Sequence, residues 1–132
     1  MALQTTVRTF RDLDLNFTKN PATKDVASRV GDQAVIRSVR NLVFLSNYEK
    51  PFHPEIGSSV RQMLFENATA MTAQHLKRLI EDVIKNFEPR VRLKDVVVQI
   101  VEDLNYFQVS IEFYIQNNAS PTTISVFLER VR

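Results

Sequence analysis

The sequence contains no cysteine and only two glycines in 132 residues. Without cysteine the chain cannot form disulfide bonds, zinc knuckles or iron–sulfur clusters, and it has no thiol nucleophile. The two glycines, Gly31 and Gly57, cannot build a glycine-rich phosphate-binding loop. The two histidines, His53 and His75, match no compact metal-ligand spacing. We therefore expect neither a cofactor nor a metal ion.

Long apolar runs and a large excess of one charge are also missing. No apolar stretch approaches the roughly 18 residues that a membrane span requires, and the N-terminus lacks the regions of a signal peptide. Lys and Arg number 17 and Asp and Glu number 15, which gives a net charge of +2. So small an excess provides no bulk attraction for nucleic acid. We expect a soluble protein made inside the cell, with neither nucleic acid nor a membrane as partner.

The order of the apolar residues predicts an α+β fold, with two or three helices followed by a three-stranded antiparallel meander. An extended N-terminal arm of residues 1–31, with weak strand signals, precedes a single domain of residues 32–132. The first helix is predicted to begin after Gly31, the short second helix to be capped by Ser59, and the third by Thr72. Pro89 ends the third helix because it pushes the preceding residue out of helical geometry.

After Pro89 the apolar pattern changes from helical spacing to alternation, which predicts strands. Residues 96–101 are apolar on both sides, so this strand is expected to be covered on both faces. Residues 107–115 alternate cleanly between apolar and polar side chains. The last strand alternates in the same way through Ile124, Val126 and Leu128.

Two segments lie outside these patterns. The loop of residues 48–57 contains two prolines and one of the two glycines, which favours a rigid conformation with Gly57 at positive φ. The junction Glu88-Pro89-Arg90 places opposite charges on either side of a fixed kink. Its simplest interpretation is a helix stop with solvent-facing charges. The alternative is a charged wedge whose guanidinium pairs bidentately with a carboxylate or the backbone of a partner.

The chain offers little for catalysis. Glycoside hydrolysis needs two carboxylates that flank a cleft, and Glu49 and Glu55 in the irregular loop are the least implausible pair. Solvated loop charges explain both residues more simply. No serine stands in a nucleophile elbow, and His53 in the same loop is more often structural than catalytic. We expect no enzymatic activity.

Four motifs, taken together, resemble those of a known family. They are, in chain order, Glu49-Lys50, Phe52-x-Pro54-x-x-Gly57, Leu64-Phe65-Glu66 and Glu88-Pro89-Arg90. In this order and spacing they resemble the baseplate wedge (GPW-like) family of contractile phage tails, which includes the sheath-initiator subunits called TssE in type VI secretion systems. The resemblance covers roughly residues 30–130, and with its opening arm the chain is similar to the small inner-wedge members of T-even phage baseplates. Tyr48 departs from the pattern, since glycine is expected there in many relatives.

The resemblance implies a structural role with two partner surfaces. The Glu88-Pro89-Arg90 junction would dock onto a helical core bundle made by larger wedge subunits. The strand of Ile124, Val126 and Leu128 would bind the tail sheath protein by β-strand addition, because an unpaired edge offers main-chain donors and acceptors. A structural loop would comprise Glu49, Lys50, Phe52, Pro54 and Gly57.

The protein so implied is a virion component, made in the host cytoplasm and assembled into the tail baseplate in six copies around the tail axis. It would link the inner baseplate core to the sheath, initiate sheath polymerisation and transmit contraction, with the tail tube or hub as a further neighbour. The family has also carried a lysozyme label, so a murein hydrolase at the baseplate is the enzymatic alternative. A generic adaptor that binds an unrelated partner through the same sheet edge is a third.

Overall fold

The computed structural model describes residues 9–116 and 118–130, so the first eight residues of the predicted arm and the last two of the chain lie outside the described part. The chain divides into two compact units, one ending at Arg37 and the other beginning at Ser38. This boundary lies within the first helix. The division predicted between residues 31 and 32 stays a prediction.

The unit that ends at Arg37 is built on a two-stranded antiparallel sheet. Strand β1 (Arg11–Leu13) pairs with β2 (Ser28–Val30). Asp14, directly after β1, is fully buried, and its carboxylate forms ion pairs with Arg29 and Arg37. The weak strand signals of the predicted arm therefore correspond to a small sheet that is followed by a buried, paired carboxylate.

Three helices come next along the chain. Helix α1 (Asp32–Phe44) begins directly after Gly31, as predicted, α2 (Val60–Met63) is a single short turn, and α3 (Ala70–Phe87) is the longest. The apolar spacing of α3 buries one of its faces, with Leu76, Ile80, Val83 and Ile84. In the part of the chain that the structure describes, none of the helices is long and apolar enough to cross a membrane.

The N-terminal caps differ from those predicted. Thr69, not Thr72, caps α3, because the Thr69 hydroxyl accepts a hydrogen bond from the Thr72 backbone N–H at 3.2 Å. The Thr72 hydroxyl instead donates to the Asn67 carbonyl at 2.7 Å, which ties the first turn of α3 to the preceding loop. Ser59 precedes α2 but makes no side-chain cap hydrogen bond, so the capping role predicted for it is also wrong.

A three-stranded antiparallel sheet follows the helices, which confirms the predicted α+β order. Strand β3 (Val91–Val101) pairs with β4 (Tyr106–Ile115), and β4 pairs with β5 (Pro121–Glu129), so β4 is central and β3 and β5 are the edges. Alternate side chains of β4 are buried along its whole length, as its pattern predicts. Val97 on β3 is 44% exposed, so the expectation that this strand is covered on both faces is wrong.

The hydrophobic core of the unit that begins at Ser38 includes the packing of α3 on β3. Its largest fully buried side chains come chiefly from α3 and β4, and they include Leu76, Ile80, Ile84, Phe107 and Phe113. Burying each side chain of this size contributes about 1.5–3 kcal/mol. The core therefore holds the end of α3 and the start of β3 in a fixed relation, which is where the candidate site lies.

We expect the substitution Thr69→Ala to destabilise the chain by about 1 kcal/mol, because the first turn of α3 loses its capping hydroxyl. Ser59→Ala removes a hydroxyl at the start of α2 but no cap hydrogen bond, so its effect should stay within about 0.5 kcal/mol. Urea unfolding of the two variants measures both free energies. Equal losses would contradict the assignment of Thr69 as the functional cap.

Candidate partner-binding site

The junction between α3 and β3 consists of Glu88, Pro89 and Arg90. Helix α3 ends at Phe87, and the Glu88 backbone N–H donates back into the last turn at 3.0 Å. Pro89 cannot extend the helix because it has no N–H to donate. The Arg90 carbonyl accepts a hydrogen bond from the Gln116 N–H at 2.8 Å, which continues the β3–β4 ladder by one residue. The chain thus passes from helix to sheet through a segment that is fixed at both ends.

Glu88 is the centre of a buried polar cluster. It is only 3% exposed, and Arg90 donates to both of its carboxylate oxygens, from Nε to Oε1 at 2.6 Å and from Nη2 to Oε2 at 2.9 Å. The Ser38 hydroxyl, on α1, donates to the same Oε2. A guanidinium bound to both carboxylate oxygens has one defined geometry. The cluster therefore orients Arg90 and ties the end of α3 to α1.

Opposing effects set the pKa of Glu88. Burial on its own raises this pKa, because it penalises the charged carboxylate. The hydrogen bonds from Arg90 and Ser38, with the charge of Arg90, outweigh burial and hold the pKa below its ordinary value of 4.5. Glu88 is therefore a buried negative charge at neutral pH.

This geometry changes the interpretation of the junction. The simplest interpretation of the sequence, that the charges of the junction face solvent, is wrong for Glu88. The wedge hypothesis pairs the Arg90 guanidinium with a carboxylate of a partner. In the structure its carboxylate is that of Glu88, in the same chain. Docking of the junction onto a partner stays a prediction, in which Glu88 positions Arg90 from within. The exposed Pro89 and the outer part of Arg90 would then form the accessible surface.

A depression of about 360 Å³ opens beside the junction, between the start of β3 and the end of β4. Its lining includes Arg90, Arg92, Tyr114 and Gln116. The Arg92 guanidinium lies over the Tyr114 ring, 5.0 Å from the ring centroid. Among the lining residues that the structure describes, none is acidic. The depression thus presents two guanidinium groups among apolar and uncharged polar residues.

The predicted structural loop depends on Gly57. This residue has a φ of +150°, and a Cβ built on it would lie 2.7 Å from the carbonyl carbon and oxygen of Ser46. Beside it, the Ser58 N–H donates to the Leu45 carbonyl at 2.8 Å, and Ser46 and Ser58 form a parallel bridge. Any side chain at position 57 would push these two segments apart. The structure therefore confirms the positive φ predicted for Gly57.

Glu49 and Pro54 each accept a backbone hydrogen bond that fixes the loop, and the bond to Pro54 joins its two sides. Glu49 Oε2 accepts a hydrogen bond from the Ser46 N–H at 2.8 Å, and the Pro54 carbonyl accepts one from the Tyr48 N–H at 3.0 Å. Tyr48 has a φ of +70°, in the left-handed region that favours glycine. The tyrosine therefore keeps the turn that glycine would form there, at a backbone cost of about 1–2 kcal/mol.

The apex of the loop presents Phe52, which is 97% exposed and also has a positive φ. The apex turn is closed by the His53 N–H, which donates to the Lys50 carbonyl at 3.3 Å. The five predicted loop residues thus lie in one closed loop. Their contribution to any partner stays a prediction.

The three residues predicted for the last strand, Ile124, Val126 and Leu128, lie on β5 and are buried. Their cross-strand partners on β4 belong to the buried face of the sheet. These side chains hold β5 in the core and are not available to a partner. A partner of β5 would meet the backbone edge instead, and the binding role of the strand stays a prediction.

Within residues 9–116 and 118–130 no strand pairs with the outer edge of β5, and this free edge presents the backbone groups of alternate residues. The Arg130 N–H donates to the Asn105 carbonyl at 3.0 Å, so this pair, one residue beyond the strands, occupies a hydrogen-bonded position of the β4–β5 ladder. Such pairs alternate along an antiparallel ladder with pairs that do not exchange them. The N–H and C=O groups of Thr123, Ser125 and Phe127 therefore point away from β4, toward the free edge.

Sequence reasoning missed two residues of the site, Ser38 and Arg92. Ser38 lies 50 residues before Glu88, and no local pattern relates the two. Arg92 had a usable signal, because alternation along a strand puts residues two apart, here Arg90 and Arg92, on the same side. Their cross-strand neighbours, Gln116 and Tyr114, complete that side.

A fixed helix–strand junction, a glycine-closed loop and a sheet with a regular free edge together define a small α+β subunit suited to bind other proteins. The family model described as "Baseplate wedge protein gp25" matches residues 29–120. The chain is also 32% identical, over 96 residues, to baseplate wedge protein gp25 of Enterobacteria phage T4, with 72% of each chain covered. The chain belongs to the baseplate wedge protein gp25 family, whose members are structural baseplate components of contractile tails.

Solved structures share the fold. A Geobacter sulfurreducens protein named as a tail lysozyme aligns with a TM-score of 0.70 at 15% identity, covering 76% of this chain and 92% of that one. A chain of the anti-feeding prophage baseplate aligns with a TM-score of 0.65 at 22% identity, covering 94% of this chain and 88% of that one. At these identities the likeness shows the fold alone.

The substitution Gly57→Ala should destabilise the chain by about 3 kcal/mol, because it combines a strained φ with a clash against the backbone of Ser46. Gly31→Ala is the matched control, since Gly31 has a φ of +68° but no atom within 4 Å of the added Cβ. It should cost only about 1 kcal/mol. Urea unfolding measures both losses. Similar values for the two variants would show that the close approach at Ser46 is not what requires glycine.

Glu88→Gln should lower the free energy of unfolding at neutral pH by about 2 kcal/mol, because the charged hydrogen bonds to Arg90 and Ser38 are weakened. Folding lowers the pKa of Glu88 below 4.5, so its stabilisation is complete above that pH and is lost as the pH falls through the folded-state pKa. The gap between wild type and variant in urea unfolding should therefore narrow as the pH is lowered below 4.5. A gap that stays constant as the pH falls until the wild type unfolds would refute the ionised state of Glu88.

Proposed function

We propose that this baseplate wedge protein links the inner baseplate core to the tail sheath, initiates sheath polymerisation by β-strand addition and transmits contraction. The observation that carries the proposal is the free edge of β5, a strand of nine residues whose alternate N–H and C=O groups point away from the sheet. An unpaired edge of this kind is a template for a strand from another chain.

Of the two sheet edges, β5 suits strand addition better than β3. The register between β4 and β5 is continuous over the whole of β5. The register of β3 shifts between Leu93 and Asp95. The two charged residues at this shift, Lys94 and Asp95, are held in ion pairs at 2.8 and 3.0 Å. Irregular and charged edges resist pairing with another strand, so the sheath strand would add to β5.

The Glu88-Pro89-Arg90 junction would dock onto the larger wedge subunits. Its backbone is fixed by α3 on one side and by the Gln116 hydrogen bond on the other, and Glu88 orients the Arg90 side chain. A surface ordered before binding loses little conformational entropy on binding. The junction precedes β3 and the proposed sheath surface is β5, the opposite edge of the same sheet. The sheet would thus connect the two partners and pass movement from one to the other.

Several observations favour a structural role over murein hydrolysis. Glu49 and Glu55, the pair considered for hydrolysis, both have exposed side chains. Hydrogen bonds from its own backbone N–H and from His53 lower the pKa of Glu55. A general acid for glycoside hydrolysis requires a raised pKa instead. We therefore propose that the protein is not an enzyme.

The proposed setting is the tail baseplate of the virion, after synthesis in the host cytoplasm. The partners would be the larger wedge subunits and the tail sheath protein, with the tail tube or hub as a further neighbour. One chain of the anti-feeding prophage baseplate shares this fold, and the structure of that baseplate is described as 6-fold symmetrised. This supports six copies of the present chain around the tail axis.

The test is the substitution Ser125→Pro in a baseplate assembly assay. The Ser125 N–H points to the free edge, so proline removes an edge donor without removing a hydrogen bond to β4. The variant should enter baseplates normally, whereas sheath growth from them should fall at least roughly tenfold, as expected for a lost hydrogen bond and a blocked strand. Deleting the strand is a poorer test, because β5 supplies three buried side chains.

Ser125→Ala is the matched control, since it keeps the N–H and should support normal sheath growth. Thermal unfolding of the proline variant checks that it is folded. Normal sheath growth on folded Ser125→Pro baseplates would refute strand addition at β5. Failure of the folded variant to enter baseplates would instead favour the generic adaptor, with the β5 edge bound to a different partner.

A further inference from the structure

The depression beside the junction carries a positive charge that the described fold does not neutralise. Glu88 pairs with Arg90 from the buried side, so these two charges offset each other. Arg92 lines the same depression and forms no ion pair within the described ranges. Because no lining residue that the structure describes is acidic, the net charge at this surface comes from Arg92.

Tyr114 defines where the Arg92 guanidinium lies. Arg92 and Tyr114 are direct cross-strand partners, and the guanidinium lies over the ring at 5.0 Å from its centroid. Contact with the ring occupies one side of the guanidinium, which carries five N–H donors in all. Arg92 is exposed, so these donors are accessible to a ligand. An oriented guanidinium fork matches the two oxygens of a carboxylate.

We propose that this depression binds a carboxylate side chain of a larger wedge subunit, with Arg92 as the residue that pairs with it. The inference rests on the docking of the junction proposed above and names the chemistry of the group that it meets. A depression of about 360 Å³ accommodates a side chain and its adjoining backbone. A single unneutralised cation matches one carboxylate, whereas a nucleic-acid backbone requires a row of cations to neutralise successive phosphates.

This assignment separates the roles of the two arginines. Arg90 is engaged by Glu88 through Nε and Nη2, so it serves mainly to shape the junction. Arg92 supplies the charge that selects the partner. Removing the charge of Arg92 should therefore weaken association without unfolding the chain, because Arg92 is exposed and its guanidinium lies over the ring of Tyr114 on the sheet surface.

The experiment measures the dissociation constant between the full chain and a purified complex of the larger wedge subunits. Arg92→Gln should weaken binding roughly tenfold, and Arg92→Glu more strongly, because a like charge then faces the carboxylate. The salt dependence of binding should also fall in Arg92→Gln. Arg78→Glu is the matched control, an exposed arginine of α3 outside the depression, and should leave binding unchanged. Wild-type affinity of Arg92→Glu would overturn the proposal.

A second measurement decides the inference separately from the proposed function. If the wild-type chain does not bind the subunit complex, the docking proposal fails, and an amide NMR titration of the full chain with the α-amide of N-acetylglutamate, whose only carboxylate is that of the side chain, then tests the site itself. The side-chain amide of Gln116 should shift with this probe, should not shift with the α-amide of N-acetylglutamine, which has no carboxylate, and should not shift in Arg92→Gln. The absence of any shift in wild type would overturn the inference. Tighter, Arg92-dependent binding of a single-stranded oligonucleotide would overturn it in favour of nucleic acid.

Discussion

A single buried carboxylate organises the part of the molecule that we assign to its larger partners. Glu88 lies at the end of α3, accepts hydrogen bonds from Arg90 at the start of β3 and from Ser38 on α1, and is almost completely buried. An unpaired charge in this position would be strongly destabilising. The helix end, the arginine and the serine must therefore be in place together, so the junction is formed before any partner arrives.

The sheet gives this junction its connection to the rest of the molecule. Strand β4 is central and supplies much of the core, while the two edge strands differ in kind. The irregular β3 packs against α3 and follows directly after the junction, whereas the regular β5 has an unpaired edge in the part of the chain that the structure describes. A regular sheet edge that is open to solvent can pair with strands of unrelated chains. The retention of such an edge is readily understood if another chain normally occupies it.

The loop of residues 48–57 illustrates a second kind of constraint, that of the backbone itself. Gly57 lies so close to Ser46 that no side chain fits, and Tyr48 adopts a left-handed conformation that suits glycine better. Both residues serve to close one turn-rich segment. Its apex then holds an exposed phenylalanine, Phe52, on a backbone that hydrogen bonds fix at several points. The loop therefore has a defined shape.

Local pattern in the sequence was sufficient for much of this architecture. Periodicity identified α3 and the alternation of β4, proline chemistry placed the end of α3 before Pro89, and the composition of the loop predicted the positive φ of Gly57. The linked motifs, through their resemblance to the baseplate wedge family, indicated the family that the comparisons then established. These features depend on neighbours within a few residues, which is why a single sequence records them.

Other features were decided only by the tertiary structure. Thr69 rather than Thr72 caps α3, because a cap depends on which backbone N–H remains unpaired where the helix actually begins. Glu88 and Arg90 look like free surface charges in sequence, yet Ser38, 50 residues away, helps to bury the carboxylate. The residues chosen for the last strand face the core, and only the ladder with β4 shows which backbone groups face outward. Periodicity records which side chains are apolar, whereas the choice of partner for a charge or an edge is made by distant segments that folding brings together.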